Sequence, residues 1–463
     1  CNYLLMNVLN RNINNIFLIF LFSHLIIWTL IPSLTNTNLP LDTIEALAWG
    51  SNLDWGFNKH PPMSAFFSEV FFQIFGPQDW AYYLLSQIFV LITFYFVFKF
   101  ANEILENTKL SLLSVFLLVS IYFYNFTTPE FNVNICQLPF WAGTVYFAWK
   151  SFKTDKTSNW ILFGMFAALG FISKYLFLYL LVSIKLFFIY QIYKTKKFNL
   201  KYLIPSLIFI IIISPHLHWL LENNFVTIDY ALKRTGAENY SVSSHFLNPI
   251  IFILKQIGIL IPILIMFLLI LKRKKFKKLR LDNKTLFLIL INWIPITLIL
   301  LTSILTGGVI RTMWMTPFYL FVGLFLIHIF KTNIETIKLK IFFFVFLFLF
   351  IFSPTLYFYI STINEFKRTD YPGKEISNLV QRKWDRNFSN QIMFVVGDEW
   401  SAGNLSYHLN SRPKWFNTLE DQVSKIGTKG GIVYTGNPKI LKEICPGIFG
   451  TIKPYGYCMI GKK

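Results

Sequence analysis

Asp42 and Glu45 stand three residues apart in Leu-Pro-Leu-Asp-Thr-Ile-Glu-Ala-Leu-Ala-Trp, a spacing that puts both carboxylates on one face of a starting helix. Such a pair can take a proton from a hydroxyl or amine nucleophile. The same pattern also reads as a helix N-terminus, Asp42 capping and Glu45 completing a capping box, and one carboxylate can do both. In Asn58-Lys-His-Pro-Pro-Met63 the paired prolines stiffen the backbone. Lys59 and His60 before them either face a phosphate or anchor the chain at an interface and start a helix. Glu130, in Thr127-Thr-Pro-Glu130, has no basic neighbour in sequence and is either solvated or aimed at a site. Lys174, in Gly170-Phe-Ile-Ser-Lys-Tyr175, falls where two apolar runs meet; it must reach an anionic partner or snorkel to water. Arg311 follows Gly307-Gly308, and a guanidinium suits bidentate phosphate binding. Lys255 offers a weaker version of the same chemistry, and Lys185, in the middle of an apolar run, has no chemical reading.

These residues are positioned by segments meant for lipid. The 463-residue chain is 54% hydrophobic, 19% aromatic and only 14% charged, against about 25% charged in soluble proteins. Its apolar residues come in blocks of about 17–24, the length a helix needs to cross about 30 Å of hydrocarbon. Eleven spans are expected, near 16–34, 80–98, 110–126, 135–149, 159–173, 175–193, 202–220, 250–271, 285–303, 309–329 and 340–361, with one or two more able to hide in 35–79 or 221–249. The first run is too long and lacks the small-residue cleavage site of a signal peptide, so it reads as a span.

The net charge of +20 does not point to nucleic acid. Its densest run, Lys272–Arg280, directly follows an apolar span, as a cytoplasmic loop does. With the N-terminus inside, twenty-one basic residues fall inside and five outside before residue 362. That bias orients the chain and puts Asp42, Glu45, Lys59, His60, Glu130, Lys174 and Arg311 on one outer face. Residues 1–361 are then a transmembrane catalytic domain with outer loops 35–79 and 221–249. Within the first loop, Met63–Phe75 suits a helix lying in the interface. Residues 362–463 read as a small periplasmic α/β domain, with strands at Ile392–Val396 and Gly431–Tyr434 and helices near 374–383, 399–410 and 437–444. Cys445 and Cys458 can bridge there if the compartment is oxidising.

Carboxylates and cations gathered at one membrane boundary suit a reaction with a phosphate leaving group: the carboxylate activates the acceptor and the cations stabilise the charge that builds on phosphate. The order of an acidic pair after the first span, His-Pro-Pro, Thr-Pro-Glu, Ser-Lys-Tyr and the exit Ser214-Pro-His-Leu-His-Trp219 resembles bacterial membrane glycosyltransferases of the protein O-mannosyltransferase-like superfamily. That group includes the lipid A aminoarabinose and galacturonic acid transferases and has the GT-C fold. The resemblance covers roughly residues 16–330 and implies a polytopic α-helical GT-C protein in the bacterial inner membrane.

It also implies inverting transfer from an undecaprenyl- or dolichyl-phosphate sugar to a cell-envelope acceptor, lipid A or lipopolysaccharide core. Asp42 is the general base by that analogy, with Glu45 beside it and Glu130 matching a second acidic turn. His60 stands where aminoarabinose transferases carry a phosphate-binding lysine, so Lys59, His60, or Lys174 with Arg311 remain the candidates for the donor phosphate. No cofactor beyond the lipid-linked donor is implied. No cluster has metal-ligand spacing, although a divalent ion stays open. Two alternatives are protein O-glycosylation and a lipid or ion transporter; a transporter predicts charges through the membrane depth, as Lys185 and Lys255 would supply.

Overall fold

The computed structural model describes residues 2–235, 241–272, 281–334, 338–418 and 430–463, with side chains from residue 12 onward. The basic loop after Leu271 therefore lies, apart from Lys272 and the residues from Leu281 on, outside the described residues.

Seven described helices are long and apolar enough to cross a membrane: Asn12–Thr35, Asp79–Leu105, Tyr175–Thr195, Leu200–Glu222, Ser244–Leu268, Asn283–Thr306 and Leu339–Ile363. A bent pair of apolar helices, Thr312–Tyr319 meeting Val322–Asn333 at 44°, falls on the predicted span near 309–329 and forms either a broken span or a re-entrant loop. The remaining three predicted spans correspond to the helices Thr108–Leu118, Val133–Thr154 and Thr157–Phe171. The first and last of these are short apolar helices. The expected count of eleven is thus not reproduced as eleven full-length spans. Among the described residues neither predicted outer loop holds one: their helices Leu41–Gly50, Met63–Phe75 and Val226–Arg234 have 10, 13 and 9 residues, at most about 20 Å at 1.5 Å per residue. The chain is a multi-pass membrane protein with a small C-terminal sheet domain.

At one end of the bundle, acidic residues meet the lysines assigned to the inner face. Glu103 binds Lys150 and Lys153, Asp155 binds Lys201, and Glu106 binds Lys284. At the opposite end α1 (Asn2–Thr35) turns into α2 (Leu41–Gly50) and α3 (Met63–Phe75). α3 starts straight after Pro61-Pro62, as the prolines required, with Pro62 as its N-cap. Gly50 lets α2 and α3 approach closely, since a Cβ there would lie 2.8 Å from the Ala65 carbonyl oxygen.

The C-terminal domain is built on a five-stranded sheet: β1 (Ile392–Val396), β2 (Lys414–Phe416), β3 (Gly431–Gly436), β4 (Ile448–Ile452) and β5 (Tyr455–Ile460), in the order β2-β1-β3-β5-β4. β1 runs parallel to β2 and β3, and the β4–β5 hairpin adds to β3 antiparallel. Both predicted strands are present. The predicted helices appear as Gly373–Asn387, Ser401–His408 and Pro438–Ile444. Cys445 and Cys458 form a disulfide, with Cα atoms 5.6 Å apart.

This domain sits on α2 and α3. Ala48 and Trp49 of α2 belong to the same buried cluster as Val395, Leu405 and Val433. Arg412 fastens the junction. Its guanidinium donates to Glu69 Oε2 of α3 (2.6 Å), to the Leu47 carbonyl of α2 (2.7 Å) and to Ser406 O (3.1 Å), and it lies 4.0 Å from the Phe72 ring centroid. Both partners are nearly buried, at 13% and 6% side-chain exposure. Removing one partner of such a pair strands the other charge, which costs about 3–5 kcal/mol. Arg412→Ala should therefore lower the thermal midpoint of the purified protein by several degrees and open the domain junction to proteolysis. An unchanged midpoint and digestion pattern would show that the domain is held elsewhere.

Candidate active site

α2 begins at Leu41 after Pro40, and no side chain of its own caps it. The capping-box reading of Asp42 and Glu45 is thus not what the structure shows. The cap comes from a distant turn: the Asp42 backbone N–H donates to Glu130 Oε1 at 3.1 Å, and Thr43 Oγ1 donates to the Phe131 carbonyl at 3.1 Å. An anionic or carbonyl oxygen at a helix N-terminus meets both the orphan N–H groups and the positive end of the dipole. Glu130 is therefore neither solvated nor idle, and the Asp42 side chain is left free.

Asp42, Glu45, Lys59, His60, Lys174 and Arg311 all line one cavity of about 380 Å³. Glu130 does not line it and stands behind Asp42. Six of the seven residues singled out in the sequence thus converge, although they span 270 positions of chain from Asp42 to Arg311. Lys255 does not; it borders a separate pocket with Gly258 and Pro262.

Each group is held by neighbours. Lys174 does not snorkel: it is 6% exposed, donates to Asn134 Oδ1 and lies 5.3 Å from the Trp314 ring centroid. The loop carrying Lys59 and His60 is strapped from three sides. His216 Nδ1 binds the Trp55 carbonyl at 2.6 Å, Thr227 Oγ1 donates to the Phe57 carbonyl at 2.8 Å, and Trp49 stacks on Phe57 at 5.4 Å. A Cβ at Gly56 would fall 2.3 Å from the Trp219 indole, so only glycine lets that ring close over the loop. His216 Nε2 also meets the Tyr175 hydroxyl at 2.8 Å, beside Lys174. The Ser-Pro-His-Leu-His-Trp exit is accordingly a brace for this loop.

Lys59 is held between two carboxylates, Glu45 Oε1 and, at 3.0 Å, Glu399 Oε1 of the C-terminal domain. Two participants escaped the sequence reading. Glu399 was hidden because nothing in sequence brings the C-terminal domain to α2. Arg234, which ends the helix Val226–Arg234 and lines the cavity, had been counted only as an outer charge; its place at the end of a short amphipathic helix was the available signal.

The enclosure sets the protonation states. Burial raises the Glu45 carboxyl to about 7 against the pull of Lys59. Burial, then repulsion from Asp42, raises Glu130 to about 8, so it carries a proton at neutral pH. Burial likewise raises Asp42, opposed by Lys174, Lys59, Arg368 and Arg234. Burial disfavours the Lys59 ammonium, but Glu45 and Glu399 outweigh it and leave its pKa above the ordinary value. His60 is lowered to about 3 by burial and by Lys174, Lys59 and Arg234, and is therefore neutral, a hydrogen-bonding group and not a cation. Burial lowers Lys174 to about 7, with Asp42 opposing. Among the described residues no group of three or more His, Cys, Asp or Glu side chains could hold a metal ion.

Residues 59–219 match the family described as dolichyl-phosphate-mannose-protein mannosyltransferase. That stretch holds Lys59, His60, Glu130 and Lys174, and leaves Asp42, Glu45 and Arg311 outside it. No curated protein matches the sequence. Among solved structures, the chain is similar to ArnT from Cupriavidus metallidurans bound to undecaprenyl phosphate, with a TM-score of 0.62 and 10% identity over 96% of this chain and 97% of that one. The apo state of the same protein matches at a TM-score of 0.60, with 10% identity and the same coverage. The resemblance to GT-C membrane glycosyltransferases is thus borne out: the fold is shared along nearly the whole chain, and a third of the sequence carries the family's pattern.

A lysine with a pKa of about 7 carries its charge mainly below that value, so its pull on an anion weakens as the pH rises through 7. A dialkyl phosphate, whose single charge is constant over this range, should bind the cavity more weakly as pH rises from 6 to 8. Lys174→Arg, cationic throughout, should make the curve shallower in calorimetric titration, with the part set by Glu45 remaining. Equal pH dependence in both proteins would remove Lys174 from the anion site.

Proposed function

We propose that this protein moves a sugar from a polyprenyl-phosphate donor, an undecaprenyl-phosphate sugar in bacteria, to an acceptor of the cell envelope, with lipid A or lipopolysaccharide core as the leading class. The observation that carries this reading is the single cavity in which a free carboxylate, Asp42, faces Lys174, Arg234 and Arg311. It is supported by the fold shared with ArnT, a protein crystallised with undecaprenyl phosphate.

In this reading Asp42 takes the proton from the acceptor nucleophile, whose oxygen forms the new bond to the anomeric carbon. The bond from that carbon to the phosphate oxygen breaks on the opposite face, so the configuration inverts. The donor carries one phosphate charge and the departing polyprenyl phosphate two. Cations around the phosphate therefore stabilise the transition state more than the ground state, which is what accelerates the step. Lys174, Arg234 and Arg311 take this role. Lys59 is already neutralised by Glu45 and Glu399 and holds the cavity wall, and neutral His60 offers the phosphate a hydrogen bond.

The working face would be the periplasmic side of the inner membrane, with the N-terminus and the lysine-rich loops cytoplasmic, residues 1–361 the catalytic domain and 362–463 a periplasmic domain. The charge bias and the Cys445–Cys458 disulfide support that orientation. Protein O-glycosylation is the second reading, favoured by the description of the family matched at residues 59–219. A transporter fits less well, since the buried charges gather at one end of the bundle.

Asp42→Asn should lower sugar transfer by at least about 10²-fold with expression and membrane insertion unchanged; full activity would sink the base assignment. Because Glu130 is protonated at neutral pH, Glu130→Gln should keep most of the activity at pH 7, whereas Glu130→Ala, which uncaps α2, should lose it. Equal loss in both variants would mean that the Glu130 proton itself takes part.

A further inference from the structure

A second hollow lies on the other side of the α1–α2 connection. It encloses about 890 Å³ between the ends of α1 and of the helix Leu339–Ile363 and the C-terminal domain. Its polar edge carries Glu365, Lys367, Arg368 and Asp370; the Arg368 side chain is exposed, and its guanidinium has no ion-pair or hydrogen-bond partner among the described residues. Its walls carry Tyr371, Trp400 and Tyr455, with Tyr371 and Trp400 in ring contact at 5.2 Å. Lys367, by contrast, is occupied, paired with Asp370 and bonded to the Ser361 carbonyl.

The hollow is tied to the base. The Thr369 carbonyl accepts from both Thr37 N and Asn38 N at 3.0 Å, which fixes Arg368 beside the residues leading into α2. Arg368 also acts electrostatically on both Asp42 and Glu130. Lys59, Lys174 and Arg234 reach Asp42 from the first cavity, and Arg368 reaches it from the second. The rim lies where two apolar helices end, at Leu34 and Thr362, and Phe366, 96% exposed, projects from the same rim.

We infer that this hollow binds the acceptor, as the anionic saccharide headgroup of a membrane lipid, with Arg368 on the anion and Tyr371, Trp400 and Tyr455 against the sugar rings. Aromatic rings give a saccharide an apolar face with hydroxyl groups at its edge, an unpaired guanidinium selects phosphate or carboxylate, and the rim admits acyl chains. This assignment rests on the sugar-transfer reading for its purpose, but it can be tested without turnover.

The test is binding to the full-length protein in nanodiscs, followed by native mass spectrometry and thermophoresis. Three probes are used: bisphosphorylated lipid A, a glycolipid whose only anion is a uronic acid, and phosphatidylglycerol. Bisphosphorylated lipid A should bind, Arg368→Gln should weaken it about tenfold or more, and Tyr455→Leu should weaken it while sparing phosphatidylglycerol. Comparable, Arg368-dependent binding of the uronic acid probe would make the selected anion a carboxylate as well as a phosphate, and so supports the shared chemistry. Equal binding to wild type and Arg368→Gln, or phosphatidylglycerol bound as tightly and with the same dependence on Arg368, would overturn the assignment. Asp42→Asn tests sugar transfer separately: in that variant, loss of transfer with lipid A binding intact supports both readings and full transfer sinks the base assignment, whereas lipid A binding that does not depend on Arg368 removes only the assignment of this hollow.

Discussion

The first turn of a helix exposes backbone N–H groups that need acceptors, and in α2 one acceptor is a carboxyl 88 residues away, Glu130. Much of the site depends on that bond. It fixes the start of α2 against the 127–131 turn, frees the Asp42 side chain from capping duty, and sets a second carboxyl beside it. Two enclosed carboxyls resist ionising together, so burial and their mutual repulsion hold Glu130 up at about 8, and burial raises Asp42 as well. A base with a raised pKa is a better proton acceptor at neutral pH than a surface aspartate.

Burial has opposite effects on the other groups, and the difference separates their roles. It neutralises His60, brings Lys174 close to its midpoint and is overcome at Lys59 by two carboxylates. Five basic side chains around one cavity are therefore not five equal cations. Lys174 responds to an arriving phosphate, since a nearby negative charge raises its pKa, whereas Lys59 is already committed. The C-terminal domain takes part in this division. Glu399 completes the clasp on Lys59, and Arg412 holds the domain on α2 and α3, so the domain supports the site from behind its lining.

From the sequence alone the membrane assignment is secure, because the cost of unpaired backbone groups in lipid forces long apolar helices that composition and block length reveal. The helix Met63–Phe75, the α2 start and the C-terminal strands were legible because each rests on local propensity or periodicity. The singled-out residues were also legible as residues of one face, since charge is scarce in such a chain and its side follows from lysine and arginine counts. The exact span number was not, because α-helices inside a bundle are shielded by protein and can be short or polar, as Thr108–Leu118 and Val133–Thr154 are.

Tertiary structure alone decided what each charge does. Whether Asp42 caps a helix or stands free depends on Glu130, and whether Lys174 snorkels or points inward depends on Asn134 and Trp314. Neither partner is close in sequence, and neither pairing has a periodic signature. Glu399 and Arg234 became visible only when the C-terminal domain and the second outer loop closed over α2. The sequence determined the solvent, the face and the residue types available for chemistry. The long-range contacts determined their protonation and their neighbours, because pKa and geometry follow from burial and distance, which no local pattern encodes.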